Sequence, residues 1–116
     1  MRGPEERLQD MLEAVAAIER YRHLGREELE RNELLQVWFL HHLRIIGEAA
    51  RAIPEEVRRL APDVPWRQLV GMRHVLVHGY FHIDTDLVWE TVQRDVPALR
   101  PSLEALLRRL QAGGAS

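Results

Sequence analysis

Apolar residues recur along this chain at helical spacing from one end to the other, and no run shows the period-two alternation of a half-buried strand. The spacing predicts a first helix from Pro4, with Glu5 and Glu6 in its first turn and Leu8, Met11, Leu12, Val15 and Ile18 recurring along it. His23-Leu24-Gly25 ends it. A long second helix is expected from about Arg26 to Ile53, stopped by Pro54, with a stripe of Leu34, Leu35, Trp38, Phe39, Ile45, Ile46, Ala49 and Ile53. Val37 and Leu40 lie off that stripe. A helix apolar on more than one side is usually buried on more than one side, and in so short a chain the second partner can be another subunit.

Pro54-Glu55-Glu56 opens a short third helix that ends before Pro62, and Pro65-Trp66 opens a fourth carrying Leu69, Val70, Met72, Leu76 and Val77. Gly79 is placed to stop that helix. Asp84 or Thr85 caps a last helix with Leu87, Val88, Val92, Leu103, Leu106, Leu107 and Leu110, which Pro97 and Pro101 should kink or split. The fold class predicted is all-α, an antiparallel helical bundle. Residues 1–111 read as one domain, and Ala112-Gly113-Gly114-Ala115-Ser116 as a flexible tail.

Composition narrows the chemistry. There is no cysteine, which excludes disulfides, thiolate metal sites and a Cys nucleophile. The start lacks an apolar leader segment and no stretch approaches membrane-spanning length, so a cytoplasmic protein with no membrane partner is expected. The net charge of −2 means that any hold on nucleic acid must come from a local cluster of positive charge. All 16 basic residues are arginine, a bias that reads as genome composition or heat adaptation rather than as a site.

The informative stretch is Gly71-Met72-Arg73-His74-Val75-Leu76-Val77-His78-Gly79-Tyr80-Phe81-His82. It sets Arg, His and Tyr close together at a helix end within an aliphatic run. Cleaving RNA without a metal requires a base for the 2′-hydroxyl proton, an acid for the leaving oxygen and positive charge on the phosphate. Histidine suits the first two tasks and arginine the third. Arg73 and His78 are five apart, about 140° around a regular helix, and so do not share a face. Either the helix deforms near Gly79, or a two-fold axis brings a second copy across. The second is favoured, because a symmetric dimer would place two copies of the segment in one cleft.

Arg73, His78 and Tyr80 together match the R-x4-H-x-Y motif, and the chain thereby resembles HepT-like toxins of the HEPN superfamily. His74, the polar residue after the arginine, suits that family too. Further likeness lies in Ile45-Ile46-Gly47-Glu48-Ala49-Ala50, Ile53-Pro54, Pro65-Trp66, Gly71-Met72-Arg73, Tyr80-Phe81, Val88-Trp89-Glu90 and Asp95-Val96-Pro97. The resemblance implies an up-and-down four- or five-helix bundle that forms a homodimer and cuts RNA as a metal-independent endoribonuclease, with no cofactor. Arg73 would hold or polarise the phosphate, His78 would be general acid or base, and His74 would support them. It also implies a type VII-like toxin–antitoxin pair, in which a minimal nucleotidyltransferase antitoxin transfers AMP to Tyr80. The alternative is a non-catalytic module that binds nucleotide, RNA or its nucleotidyltransferase partner through the same residues.

Other features read more simply. His74, His78 and His82 form an i, i+4, i+8 row, but Gly79 should interrupt it and no carboxylate joins it, so no metal site is expected. His41 and His42 are read as core or interface residues, with His42 able to line a cleft if the dimer forms on that helix. Glu48 is read as pairing with Arg44 or Arg51. Trp38, Trp66 and Trp89 are read as packing anchors rather than base-stacking platforms. Arg58-Arg59 and Arg108-Arg109 could track an RNA backbone, yet solvated helix faces explain them as well.

Overall fold

The structure, a computed structural model, describes residues 3–78 and 83–114, with side chains described to Met72 and from Ile83 to Gly113. Among the described residues it is helical throughout, without strands. The helices are α1 (Pro4–Glu19), α2 (Arg26–Arg31), α3 (Glu33–Ala52), α4 (Glu55–Arg58), α5 (Trp66–His78), α6 (Thr85–Glu90) and α7 (Val96–Gly114). The long helices run up and down, α7 packing on α1, α1 on α3 and α3 on α5. The resulting rod measures 50 × 26 × 25 Å. None of the described helices is long and apolar enough to cross a membrane.

α1 forms as its pattern predicts. Pro4 supplies a preset φ at the first position, and Leu8, Met11, Val15 and Ile18 are all buried. Gly25, at φ 92°, provides the turn that a side chain would strain. α3 is the central element, burying Leu35, Phe39, Leu43, Ile46 and Ala50 in one row at spacings of three and four. Truncating a fully buried residue of that row, such as Ile46, would cost about 2–5 kcal/mol.

The single helix expected from Arg26 to Ile53 is two helices. Asn32 leaves the helical conformation (φ −106°, ψ 100°), and its side-chain oxygen accepts from the Leu35 amide at 3.1 Å, capping α3. Gln36 closes the other side of the break, donating to the Leu29 carbonyl at 2.8 Å and the Glu30 carbonyl at 3.2 Å. Asparagine gives little inside a helix and much at its start, and here the second role wins. The break also sets α3's rotation, and Leu34 stands 82% exposed instead of joining the buried stripe.

Asp84 caps α6 by accepting from the Leu87 amide at 3.1 Å, although Leu87 itself is exposed. The interruption expected at the prolines takes the form of a π-helical segment, Thr91–Asp95, after which α7 runs on through Pro101. Pro97 has no N–H to offer the Gln93 carbonyl one turn back. Arg22 takes its place, donating to that carbonyl at 3.4 Å and to the Gln93 side-chain oxygen at 3.1 Å. Gln93 in turn donates to the Arg22 carbonyl at 2.8 Å. A second cross-link joins α7 to α1, where Arg100 Nε donates to Glu19 at 2.9 Å.

Candidate active site

α5 carries the motif, and its starting point is tightly anchored. The Pro65 carbonyl accepts from the Leu69 amide at 3.0 Å, and the buried Trp66 donates its indole N–H to the Ala61 carbonyl at 3.1 Å. Trp66 is thus a packing anchor, as expected. Arg58 fastens the same corner from the other side. Its guanidinium donates to the carbonyls of Ile53 and Ala50, each at 3.0 Å, and lies 6.0 Å from the Trp66 ring centre. Both carbonyls lie at the end of α3, where that of Ala50 also accepts from the Ile53 amide at 3.2 Å, so the Arg58 guanidinium caps the C-terminus of that helix. The Arg58 half of the Arg58-Arg59 pair is therefore structural.

From that corner α5 runs antiparallel to α3 without a break to His78, so the backbone between Arg73 and His78 is regular helix. The two residues keep the angular separation of about 140° that five helical steps impose. No deformation within that stretch brings them together. The side chains of Arg73, His74 and His78 lie outside the described residues, as does the whole of Gly79, Tyr80, Phe81 and His82. The row His74, His78, His82 falls there too. Among the described residues, no group of three or more His, Asp or Glu side chains is arranged to hold a metal ion.

Two further histidines sit on α3. His42 is half-buried, donates from Nδ1 to the Trp38 carbonyl at 2.8 Å and packs on the Trp38 ring at 4.4 Å between centroids. Trp38 in turn donates to the Ala17 carbonyl at 2.8 Å and meets Tyr21 edge-on at 5.3 Å. Burial pushes the His42 imidazole below its ordinary value, with His41 and Arg20 adding a smaller repulsion and the Trp38 carbonyl opposing them. Packing between α1 and α3 accounts for His42. His41 is exposed, on the outer face of α3 with Leu34, Val37 and Ile45 at i−7, i−4 and i+4. Arg109 reaches back to the Leu60 carbonyl at 3.4 Å, tying α7 to the α4–α5 connection.

Comparison with known proteins agrees with the motif. The family model described as Ribonuclease HepT-like matches residues 11–106. A protein of Thermococcus cleftensis named a probable ribonuclease HepT is 37% identical over 106 residues, covering 90% of this chain and 96% of its own length. A candidate RNase of Methanocaldococcus jannaschii is 38% identical over 98 residues, covering 84% of this chain and 90% of its own. Another, from Caldanaerobacter subterraneus, is 33% identical over 110 residues, covering 94% and 98%. No solved structure matches. With a match spanning most of the bundle and relatives aligned over nearly their full lengths, the chain belongs to the ribonuclease HepT-like family of the HEPN superfamily.

Proposed function

We propose that this protein is a cytoplasmic, metal-independent endoribonuclease that acts as a symmetric dimer, with Arg73 and His78 as the residues of its composite site. The observation that carries the reading is the unbroken α5 in a chain of this family. It keeps Arg73 and His78 about 140° apart, so a second copy is the natural source of the missing group. In the reaction a base removes the proton of a ribose 2′-hydroxyl, and the oxygen attacks the adjacent phosphorus. The 5′-oxygen of the next nucleotide leaves and takes a proton, giving a 2′,3′-cyclic phosphate and a free 5′-hydroxyl. Histidine pKa values near neutrality suit both transfers, and the Arg73 guanidinium matches the charge that builds on the phosphoryl oxygens. His74 supports them.

Support for the dimer comes from α3. Leu34 and Val37, 82% and 54% exposed, stand on an outward face of α3, with the half-buried Ile45 at its edge. Control is assigned to Tyr80, seven residues beyond Arg73. AMP transferred to its hydroxyl by a partner nucleotidyltransferase would bring a phosphate's negative charge beside Arg73 and compete with RNA for it. The family named above and the R-x4-H-x-Y spacing support this toxin–antitoxin reading.

The test is cleavage of total cellular RNA in EDTA by protein that mass spectrometry shows to be unmodified at Tyr80, comparing wild type with His78→Ala. Cleavage by wild type alone is expected. A silent, unmodified wild type would replace this reading with a binding module that uses the same residues.

A further inference from the structure

α4 and the first half of α5 enclose an open cleft of 640 Å³. Its charged lining is Arg58, Arg59 and Arg67 against the single carboxylate of Glu55, a local excess of positive charge in a chain whose net charge is −2. Arg58 is committed to the α3 carbonyls, so the available cations are Arg59 and Arg67, both exposed. Arg59 pairs with Glu55 at 3.6 Å with both side chains largely in water, an interaction weak enough to be exchanged for a phosphate. Between the arginines the lining is apolar, with Pro62 and Val70.

The register of α5 ties this cleft to the motif. Arg67, Gly71, His74 and His78 follow one another at i, i+4, i+7 and i+11, all within about 60° of arc on a regular helix. The face of α5 that lines the cleft is therefore the face on which His74 and His78 sit, with His74 about 10 Å along the axis from Arg67. Gly71 adds an independent sign. It lines the cleft from the interior of α5, where glycine destabilises relative to alanine, yet a Cβ there would meet nothing within 4 Å. Packing among the described residues gives no reason for a glycine there. Close approach by something outside the chain does.

We propose that this cleft is the groove through which single-stranded RNA reaches the motif, with Arg59 and Arg67 holding backbone phosphates and the floor around Gly71 receiving the sugar and base. The proposal rests on the ribonuclease reading. Single-stranded RNA fits better than a duplex, because an apolar floor between two cations suits unstacked nucleotides, whose bases can be received there while the arginines hold the backbone.

The experiment is anisotropy titration of a fluorescent single-stranded RNA, methylated at its 2′-hydroxyls to prevent cleavage, against the full-length protein over a range of salt. Compared are wild type, the double variant Arg59→Gln with Arg67→Gln, a charge control with Arg31→Gln and Arg108→Gln outside the cleft, and Gly71→Ala. Loss of two phosphate contacts should reduce the slope of log K against log salt by about 1.4, at about 0.7 per phosphate of a single strand. The charge control should keep the wild-type slope. Gly71→Ala should bind RNA more weakly while melting at a higher temperature, a combination that damage to the fold cannot produce. Equal slopes in wild type and the cleft variant would overturn the groove and leave the nuclease reading intact. RNA that fails to bind unmodified wild type would remove both. A change in sedimentation of the cleft variant would overturn the groove too, by making this face a contact between copies.

Discussion

Arg58 and Ile53 close the end of α3 together, the arginine Nε donating to the isoleucine carbonyl at 3.0 Å while the same guanidinium takes the Ala50 carbonyl. The side chain also faces the ring of Trp66, so one residue holds α3, α4 and the start of α5 in register. Arg58→Ala should lower stability by about 2 kcal/mol, since these are hydrogen bonds from a charged donor to half-buried carbonyls. For a domain of this size that is a fall in Tm of about 8 °C. Arg58→Lys should recover less than half, because an ammonium cannot span both carbonyls as a planar fork does. Thermal melts followed by circular dichroism decide it, and an Ala variant as stable as wild type would show the cap to be unimportant.

His42 gives stability a pH dependence whose sign follows from its surroundings. Its imidazole is held below the ordinary histidine range, chiefly by burial against Trp38. The unfolded chain then binds that proton more readily than the folded one, so the contribution is present above the ordinary histidine pKa and is lost as pH falls through the lowered value. Between about pH 8 and about pH 5 the wild type should lose more Tm than His42→Gln, which keeps an N–H near the Trp38 carbonyl but does not titrate. His41, next to it and exposed, is common to both proteins and cancels in the comparison. Parallel curves for the two proteins would mean that His42 is as easily protonated folded as unfolded.

Much of this architecture is legible in the chain, and the misreadings have physical causes. Leu8, Met11, Val15 and Ile18 are all buried as their spacing requires, because a strong period, a leading proline and acidic first-turn residues point the same way. Asn32 was hidden by its neighbours, since Glu28 to Arg31 and Glu33 to Gln36 are good helix formers on both sides. Its extended backbone and its side-chain bond to the Leu35 amide reveal that it begins a helix. At the candidate site, Arg73, His78 and Tyr80 are visible as a motif because they are close in sequence. The cleft is not visible in that way. Arg59 and Arg67 are separated by Pro62 and Pro65, and they share a cleft because the chain turns back between α4 and α5. A signal was still available in the row Arg67, Gly71, His74, His78, which is helical in period but polar where the core pattern is apolar.

The outward face of α3 should be where two copies meet. Leu34 and Val37 are exposed enough that replacing them hardly touches the monomer's core. Leu34→Glu with Val37→Glu should therefore leave the helical signal and the melting cooperativity in place while converting the sedimenting species from dimer to monomer. RNA cleavage should fall with the dimer and return in part at high protein concentration. A double variant that still sediments as a dimer would assign the two-fold axis to another face.

The proposed composite site makes its own demand, since the unbroken helix from Trp66 to His78 sets Arg73 and His78 about 140° apart around its axis. Arg73→Ala and His78→Ala should each abolish cleavage as homodimers. Mixed, and allowed to exchange subunits, they should regain it. In a mixed dimer one site receives both substitutions and the other receives neither, so that the second site is intact. Random exchange makes half the dimers mixed and leaves one good site in each, giving about a quarter of wild-type activity. The measurement is the rate of RNA cleavage in EDTA before and after exchange, with unmixed variants carried through the same steps. A mixture as inactive as its components would mean that Arg73 and His78 act within one chain.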